Sequence, residues 1–198
     1  NELLEIYNLD LSKDKRQERV RDLFIIGCYT GLRFADYHRF STDNIRNFEK
    51  GSIIYIKTQK TNESVAIPLK WMLHEIIKKY EGNIPKPFTN QEMNRTLKKI
   101  GELAEIKDPV SQTLTKGGLR VETMHKKYEL IVTHTARRSF ATNMYLAGIP
   151  AISIMKITGH RTEEAFMKYI KISQEDNAIK LMEHPYFSQQ KPVKLKKA

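Results

Sequence analysis

The sequence has little cysteine and no long apolar run, and each shortage excludes a class of protein. One cysteine, Cys28, in 198 residues excludes a disulfide framework, and its apolar neighbours predict a buried, inert thiol. No apolar run approaches the ~20 residues that a membrane-spanning helix requires, and we expect no signal peptide. Metal-ligand spacings are also absent, so we expect neither a metal nor another cofactor. These shortages together favour the reducing cytoplasm as the compartment.

Acidic residues are fewer than basic ones, which favours an anionic partner. The chain has 34 Lys and Arg against 23 Asp and Glu, a formal net charge of +11. Such an excess indicates nucleic acid ahead of a membrane surface. With 40% hydrophobic residues, the chain can form one folded domain, which we place at 13–182. Residues 1–12 are expected to be a linker remnant and 183–198 a disordered basic tail. The start at Asn1 rather than Met predicts a piece of a longer protein.

The pattern of apolar and turn residues predicts an α+β fold that is mainly α-helical with a small antiparallel sheet. Ser12 as N-cap and Gly31 as terminator bound a first long helix over 13–30. The β-rich runs over 53–58 and 64–68 predict a hairpin. Further helices are expected to end near Arg39 and to cover 69–80 (with Trp71 in the core), 89–104 (capped by Thr89 or Asn90), 137–146, 150–158, 162–170 and 174–182, with two short strands or an extended flap in 110–132.

Candidate chemistry is concentrated in the last third of the chain. His134 precedes Arg137 by three residues, so both side chains project from about the same helix face. Gly159 ends the next helix and presents His160 just beyond it, and Tyr169 follows on a third helix. Three short helices would thus bring two histidines, an arginine and a tyrosine to one point. Such a cluster indicates a phosphate site with a nucleophile beside it.

Taken singly, these residue types are usually structural. A tyrosine on an amphipathic helix is ordinarily a core residue with its hydroxyl at the edge. Arg33, at a helix junction, would ordinarily pair with Asp36. A lysine near a hairpin tip, such as Lys60, is ordinarily solvated. The prediction of a site therefore depends on the joint occurrence of these residues.

Exposed basic residues are candidates for contacts with backbone phosphates. Arg95, Lys98 and Lys99 lie together on one predicted helix, and a solvated charged face is the equal alternative for them. Arg138 is a further candidate for a backbone-phosphate contact, or else a helix-surface residue. The segment 110–132 is basic as well and could touch DNA.

If Arg33, Lys60 and the residues of the last third converge on one phosphodiester, they can transfer a phosphoryl group without a cofactor. The arginines would fork onto the non-bridging oxygens and neutralise the charge that develops in the transition state. A histidine would help the phenol to ionise, and the lysine would protonate the departing 5′ oxygen. The bond energy would be retained in a 3′-phosphotyrosine, so no ATP is needed.

The order of these elements resembles the catalytic domain of the tyrosine recombinases, the phage-type integrases. The resemblance covers most of the chain, from near Lys13 to about Met182. The residues around His134, and the strand-like insertion before them, resemble those of integrases of mobile elements in Bacteroides-type bacteria. The matching elements are Thr30-Gly31-Leu32-Arg33 with Asp36, Lys60 ahead of Ile67-Pro68-Leu69, His134-x-x-Arg137, Gly159-His160, and Tyr169.

The resemblance implies a role for each matching residue. Asp36 would be a structural support that orients Arg33. Lys57 competes with Lys60 for the lysine position, because the register of a hairpin is easily misjudged by a few residues. The implied catalytic residues are Arg33 and Arg137 as the two arginines, Lys60 as general acid, His134 as the residue that exchanges protons with the tyrosine, His160 as the late histidine, and Tyr169 as the nucleophile.

The resemblance also implies a partner and an assembly. The chain would cut and rejoin double-stranded DNA in site-specific recombination or integration, in the bacterial cytoplasm close to the nucleoid and away from any membrane. It would act in a homotetramer on DNA, joined through the C-terminal helix 174–182, with accessory DNA-bending proteins as candidate further partners. Two alternatives stay open: DNA relaxation like that of a type IB topoisomerase, and DNA binding by a non-catalytic module of the same fold.

Overall fold

The chain is mainly helical, with two small antiparallel sheets. A computed structural model describes residues 2–60, 62–170, 172–184 and 186–187. The predicted α+β class is confirmed. The elements in chain order are α1 (Glu2–Asn8), α2 (Lys15–Thr30), 3-10 helices at Phe34–Arg39 and Thr42–Asn44, β1 (Ile45–Phe48), β2 (Gly51–Lys57), β3 (Ser64–Pro68), α3 (Trp71–Lys79), α4 (Asn90–Leu103), β4 (Pro109–Lys116), β5 (Leu119–Lys126), a 3-10 helix at Lys127–Leu130, α5 (Thr133–Leu146), α6 (Ala151–Thr158), α7 (Glu163–Met167) and α8 (Gln174–Met182).

Helix α2 lies in the main hydrophobic core, with Leu23 and Ile25 fully buried. Its N-cap is Asp14, whose Oδ1 accepts hydrogen bonds of 3.0 Å from the backbone N–H groups of Arg16 and Gln17. The predicted cap at Ser12 is therefore wrong by two residues. The Asp14 carboxylate satisfies the free N–H groups of the first turn, which is what a cap must do.

The N-terminal residues form a helix where a linker was expected. In α1, Ile6 is 3% exposed and belongs to the main core. The expectation for Trp71 is wrong as well, because its side chain is 61% exposed and meets the Tyr7 ring edge-on at 5.7 Å between centroids. Helix α3 buries Met72, Leu73, Ile76 and Ile77, and this stripe leaves Trp71 outside the buried face.

The three-stranded sheet has the order β1-β2-β3, with both pairs antiparallel. The predicted hairpin corresponds to β2 and β3, and β1 is an additional strand. Ile54 pairs with Ile45 on one side and Ile67 on the other, and Ile56 points to the same buried face. The pairing of Lys57 with Ser64 brings together the ends of the connection that carries Lys60.

The segment expected to form two short strands or a flap is a long hairpin. Strands β4 and β5 pair in register from Pro109 opposite Lys126 to Lys116 opposite Leu119. No residue of β5 is buried. The hairpin therefore stands out between α4 and α5. Of the tail predicted over 183–198, residues 185 and 188–198 lie outside the described residues.

The C-terminal helices form a second, smaller core. Phe140 and Ala141 of α5, Ile154 and Met155 of α6, and Phe166 of α7 are buried together. Helix α5 begins at Thr133, four residues earlier than predicted, and packs against α2. This packing carries His134 and Arg137 to the end of α2. In the part of the chain that the structure describes, no helix is long and apolar enough to cross a membrane.

Candidate active site

Arg137 is buried where α5 packs against the end of α2. Its side chain is 4% exposed, and its Nη1 donates a 2.6 Å hydrogen bond to the backbone oxygen of Gly31. Gly31 is left-handed, with φ 64°, and a Cβ there would lie 2.4 Å from the Phe140 ring. Burial, and then Arg33, lower the pKa of Arg137 to about 10, while Tyr169 and Asp36 oppose this shift. The guanidinium thus remains a fixed positive charge at neutral pH.

Arg33 lies beside the turn that follows α6. Its Nη1 and Nη2 are each 4.0 Å from the position that a Cβ on Gly159 would occupy. Among the described residues, no ion pair joins Arg33 to Asp36. Asp36, which is predicted to orient Arg33, instead binds the hairpin loop. Its Oδ1 accepts a 2.7 Å hydrogen bond from the backbone N–H of Gln59. Arg33 is half-buried, and its guanidinium donates no hydrogen bond to a described residue.

The hairpin loop that carries Lys60 is attached to this region through Gln59. Asp36 is 1% exposed, and its bond to Gln59 links the 3-10 helix Phe34–Arg39 to the loop directly before Lys60. Lys60 is exposed, and no hydrogen bond links it to the other candidate residues in the described structure. Lys57 ends β2 and lines a shallow groove with Arg39 and Ser64. The structure thus separates the two candidate lysines without bringing either into contact with Tyr169.

His134 and Tyr169 contact each other directly. The Tyr169 hydroxyl lies 2.7 Å from Nε2 of His134, and the ring centroids are 5.2 Å apart at 73°. Burial, followed by the charges of Arg137, Arg138 and Arg33, lowers the pKa of His134. A neutral His134 can accept the tyrosine proton at Nε2.

Two asparagines of α4 hold the start of α5, and with it His134. Asn94 Oδ1 accepts a 2.8 Å hydrogen bond from the backbone N–H of Thr133, and Asn90 Oδ1 accepts a 2.7 Å bond from its hydroxyl. These bonds satisfy a donor at the helix N-terminus that would otherwise be free. Neither contact is predicted from the sequence, since an asparagine in a polar helix face carries no signal of a distant partner.

His160 lies at the centre of the site, just after α6. Its ring centroid is 4.4 Å from that of Tyr169 and 5.6 Å from that of Phe166, both edge-on. Its Nδ1 lies 2.8 Å from Oγ1 of Thr158. Burial, then Arg137 and Arg33, lower the pKa of His160 to about 4. His160 is therefore neutral in this arrangement at neutral pH.

Tyr169 is positioned by a turn rather than by a helix. The third helix, α7, ends at Met167, so Tyr169 follows it by two residues instead of lying on its last turns as predicted. The Tyr169 N–H donates a 2.8 Å bond to the backbone oxygen of Phe166, whose side chain is fully buried. The buried phenyl ring thereby anchors the turn that presents the tyrosine.

The structure brings five of the six predicted catalytic residues together. His134, Arg137 and His160 contact the side chain of Tyr169, and Arg33 lies close enough to these three residues to lower their pKa values, whereas Lys60 lies on the adjoining loop. No cluster of three His, Cys, Asp or Glu that could hold a metal occurs in the described part of the chain. Two guanidiniums beside a tyrosine that contacts a neutral histidine suit a phosphodiester and nucleophilic attack on it.

The candidate phosphate-contact residues lie on α4 and α5, the two helices that meet at the start of α5. Arg95, Lys98 and Lys99 are exposed on α4, and Arg138 is half-buried on α5. Lys98 stands one turn beyond Asn94, which holds the start of α5, so this side of α4 adjoins the site.

Solved structures that share this fold include site-specific recombinases and integrases. The XerH site-specific recombinase bound to palindromic difH substrate has a TM-score of 0.65 at 18% identity, with 91% of this chain and 49% of that chain covered. For XerA recombinase the TM-score is 0.65 at 16% identity, with 93% and 63% covered. For the catalytic domain of bacteriophage HP1 integrase the TM-score is 0.51 at 19% identity, with 90% and 88% covered. The fold is thus that of a tyrosine recombinase catalytic domain.

Sequence comparison gives the family. The profile of the phage integrase family matches residues 1–176, so the chain belongs to the phage integrase family. No curated protein sequence matches the chain significantly. The chain spans only 49% of the XerH chain and 63% of the XerA chain.

Proposed function

We propose that this chain is the catalytic domain of a tyrosine recombinase that cuts and rejoins DNA in site-specific recombination or integration. The contact of 2.7 Å between the Tyr169 hydroxyl and His134 Nε2 carries this proposal, because it pairs a nucleophile with a base beside two arginines. The XerH recombinase and the Tn1549 transposon integrase, which share the fold, are described as complexes with DNA. The net charge of +11 suits the same partner.

The two arginines bind the scissile phosphate. Arg137 is held by Gly31, so its remaining N–H groups have a fixed direction, and Arg33 reaches the same point from the end of α2. Donors that are already oriented stabilise the developing charge without reorganising during the reaction. This fixed pair replaces the role that a metal ion plays in other phosphoryl-transfer sites.

The reaction conserves the phosphodiester bond energy. The Tyr169 hydroxyl loses its proton to Nε2 of His134, its oxygen attacks phosphorus, and the bond from phosphorus to the 5′ oxygen breaks. Lys60 gives a proton to that leaving oxygen, which becomes a free 5′ hydroxyl. The 3′-phosphotyrosine is then attacked by a 5′ hydroxyl of another strand, and the same groups act in reverse.

We also propose that the chain assembles on DNA with other copies of itself. Helix α8 carries exposed Ile179 (53%), Leu181 (43%) and Met182 (70%), which suits packing against a neighbouring copy in a homotetramer. Arg95, Lys98, Lys99 and Arg138 contact backbone phosphates beside the cut. We place the protein in the bacterial cytoplasm at the nucleoid, with accessory DNA-bending proteins as further partners.

Covalent capture tests the reaction without knowledge of the target site. A library of nicked duplexes with a randomised segment is incubated with the chain, and complexes that survive denaturing electrophoresis are collected over successive rounds. We expect an enriched sequence that forms an adduct with the wild type and none with Tyr169→Phe. Persistence of the adduct in the phenylalanine variant would place the nucleophile elsewhere.

Supercoil relaxation separates the two alternatives. A topoisomerase relaxes plasmid DNA of any sequence as a monomer, whereas the recombinase acts only where the captured sequence is present. A DNA-binding module without catalysis binds the library in a salt-dependent manner and forms no adduct. The described residues favour the catalytic proposal, because five of the six catalytic candidates meet around Tyr169.

A further inference from the structure

Thr158 connects the buried end of α6 to His160. Its side chain is 1% exposed, so its hydroxyl finds its partners within the protein. Oγ1 lies 2.9 Å from the backbone oxygen of Ile154 and 2.8 Å from Nδ1 of His160. Gly159, left-handed at φ 62°, turns the chain so that His160 folds back over this hydroxyl.

The number of protons that each group carries decides which group donates in these two contacts. A threonine hydroxyl has one proton and can accept further hydrogen bonds, whereas a carbonyl oxygen can only accept. If both contacts are hydrogen bonds, Thr158 donates to Ile154 and accepts from His160. A neutral imidazole carries a single N–H, so that proton is on Nδ1 and Nε2 has a free lone pair.

The same arrangement occurs at the end of α2, where the direction of the second bond is certain. Thr30 Oγ1 lies 2.7 Å from the backbone oxygen of Ile26, and the backbone N–H of Leu32 donates to Thr30 Oγ1 at 3.3 Å. Here, too, a left-handed glycine follows the threonine. A backbone N–H can only donate, so this hydroxyl gives its proton to the carbonyl four residues back. Thr158 has the same surroundings, with the His160 ring in place of the Leu32 N–H.

We propose that Thr158 is a positioning residue that fixes His160 as the tautomer protonated at Nδ1, so that Nε2 is the atom presented to the DNA phosphate. The contact of Nε2 with the phosphate rests on the proposed function, whereas the tautomer does not. Thr158 itself touches no reacting atom.

In this arrangement Nε2 of His160 becomes a hydrogen-bond donor only when the phosphate is bound. The charged and titratable groups around His160 are Arg33, Arg137, His134 and Tyr169, and the two arginines help to lower its pKa to about 4. A bound phosphate supplies the opposite charge and favours uptake of a proton from solvent at Nε2. Nε2–H then donates to a non-bridging oxygen while Nδ1–H stays on Thr158.

Nitrogen NMR of the ¹⁵N-labelled chain reads the tautomer directly, with His160 signals assigned by their loss in His160→Gln. We expect a protonated Nδ1 in the wild type and in Thr158→Ser, and loss of that preference in Thr158→Val. Thr30→Val is the matched control, since it removes the equivalent hydroxyl at the end of α2 and leaves the His160 tautomer unchanged. A wild-type His160 protonated at Nε2, or a Thr158→Val variant with an unaltered tautomer, overturns the proposal.

Adduct formation on captured DNA tests the consequence for the reaction. We expect Thr158→Val to slow it roughly tenfold and to move its pH profile, and Thr158→Ser to restore both, as is typical of outer partners of functional histidines. An unchanged rate and profile in a folded Thr158→Val variant whose tautomer has shifted overturns the positioning role. If that variant does not fold, Thr158→Ala takes its place. Absence of an adduct in the wild type counts against the proposed function, while the NMR result still decides the tautomer.

Discussion

The Tyr169 hydroxyl and Nε2 of His134 lie 2.7 Å apart, although 35 residues separate them in the chain. The buried Phe166 holds the turn of Tyr169, and Asn90 and Asn94 hold the start of the helix of His134. Both partners are thus positioned by packing within the protein. The proposed nucleophile and its proposed base are therefore in direct contact in this structure.

Replacing His134 tests whether this contact activates the tyrosine. Loss of a positioned base typically slows a reaction by about 10²- to 10⁴-fold, and we expect His134→Ala to fall in that range for the rate of adduct formation. His134→Gln keeps a hydrogen-bonding side chain but cannot take up the proton, so we expect a similar loss. Adduct formation at the wild-type rate in both variants would show that another group deprotonates Tyr169.

The lowered pKa of His160 makes stability depend on pH. The unfolded histidine binds a proton near its ordinary pKa of 6.5, whereas the folded one does so only near 4. The unfolded state therefore binds more protons in this window, and this contribution to stability is lost as pH falls from about 6.5 to about 4.

Chemical denaturation across that window measures the effect. We expect the free energy of unfolding of the wild type to fall more steeply with acidification than that of His160→Gln. His134 has a lowered pKa as well, so His134→Gln serves as a comparison that isolates the His160 contribution. Parallel pH dependences for the wild type and His160→Gln would contradict the assignment.

Gly31 is expected to tolerate no side chain. Its backbone is left-handed, and a Cβ would lie 2.4 Å from the Phe140 ring, so we expect Gly31→Ala to lose about 2–4 kcal/mol of stability. Gly148 is also left-handed, at φ 81°, but has open space around a Cβ. Gly148→Ala should therefore lose only about 1–2 kcal/mol in thermal unfolding. Equal losses in the two variants would show that the Phe140 contact has no cost.

Asp36 is expected to act on the hairpin rather than on Arg33. Removing its carboxylate frees the Gln59 N–H, and a hydrogen bond to a charged group contributes about 1.5–3 kcal/mol. In Asp36→Ala we therefore expect the Gln59 amide to exchange roughly 10- to 100-fold faster with deuterium. Asp36→Asn retains an acceptor oxygen and should exchange more slowly than the alanine variant. Unchanged Gln59 exchange in Asp36→Ala would rule out this anchor.

The sequence predicts what depends on local spacing. His134 and Arg137 share a helix face because they lie three residues apart, and a glycine after α6 indicates where His160 emerges. Hydrogen bonds between residues that are far apart in the chain cannot be predicted from local spacing. The bond from Asp36 to Gln59 depends on how the 3-10 helix meets the sheet, and Arg137 reaches Gly31 only because α5 packs on α2.

Local competition explains the remaining errors. Ser12 and Asp14 both have cap chemistry and are separated by Lys13 alone, so the sequence offers two neighbouring starts for α2, of which the structure has the second. Trp71 is the largest apolar side chain of its helix, yet the buried stripe of α3 passes beside it. For Trp71 the deciding factor is the packing of α3 against the core, which composition does not contain.

Mass spectrometry of the DNA-linked peptide tests the central claim most directly. The adduct formed on captured DNA is digested with nuclease and protease, and the modified residue is located by fragmentation. We expect a single peptide in which Tyr169 carries a 3′-linked nucleotide through its phenolic oxygen, and a free 5′ hydroxyl on the released strand. A nucleotide on any other residue, or a 5′ phosphate at the break, would contradict it.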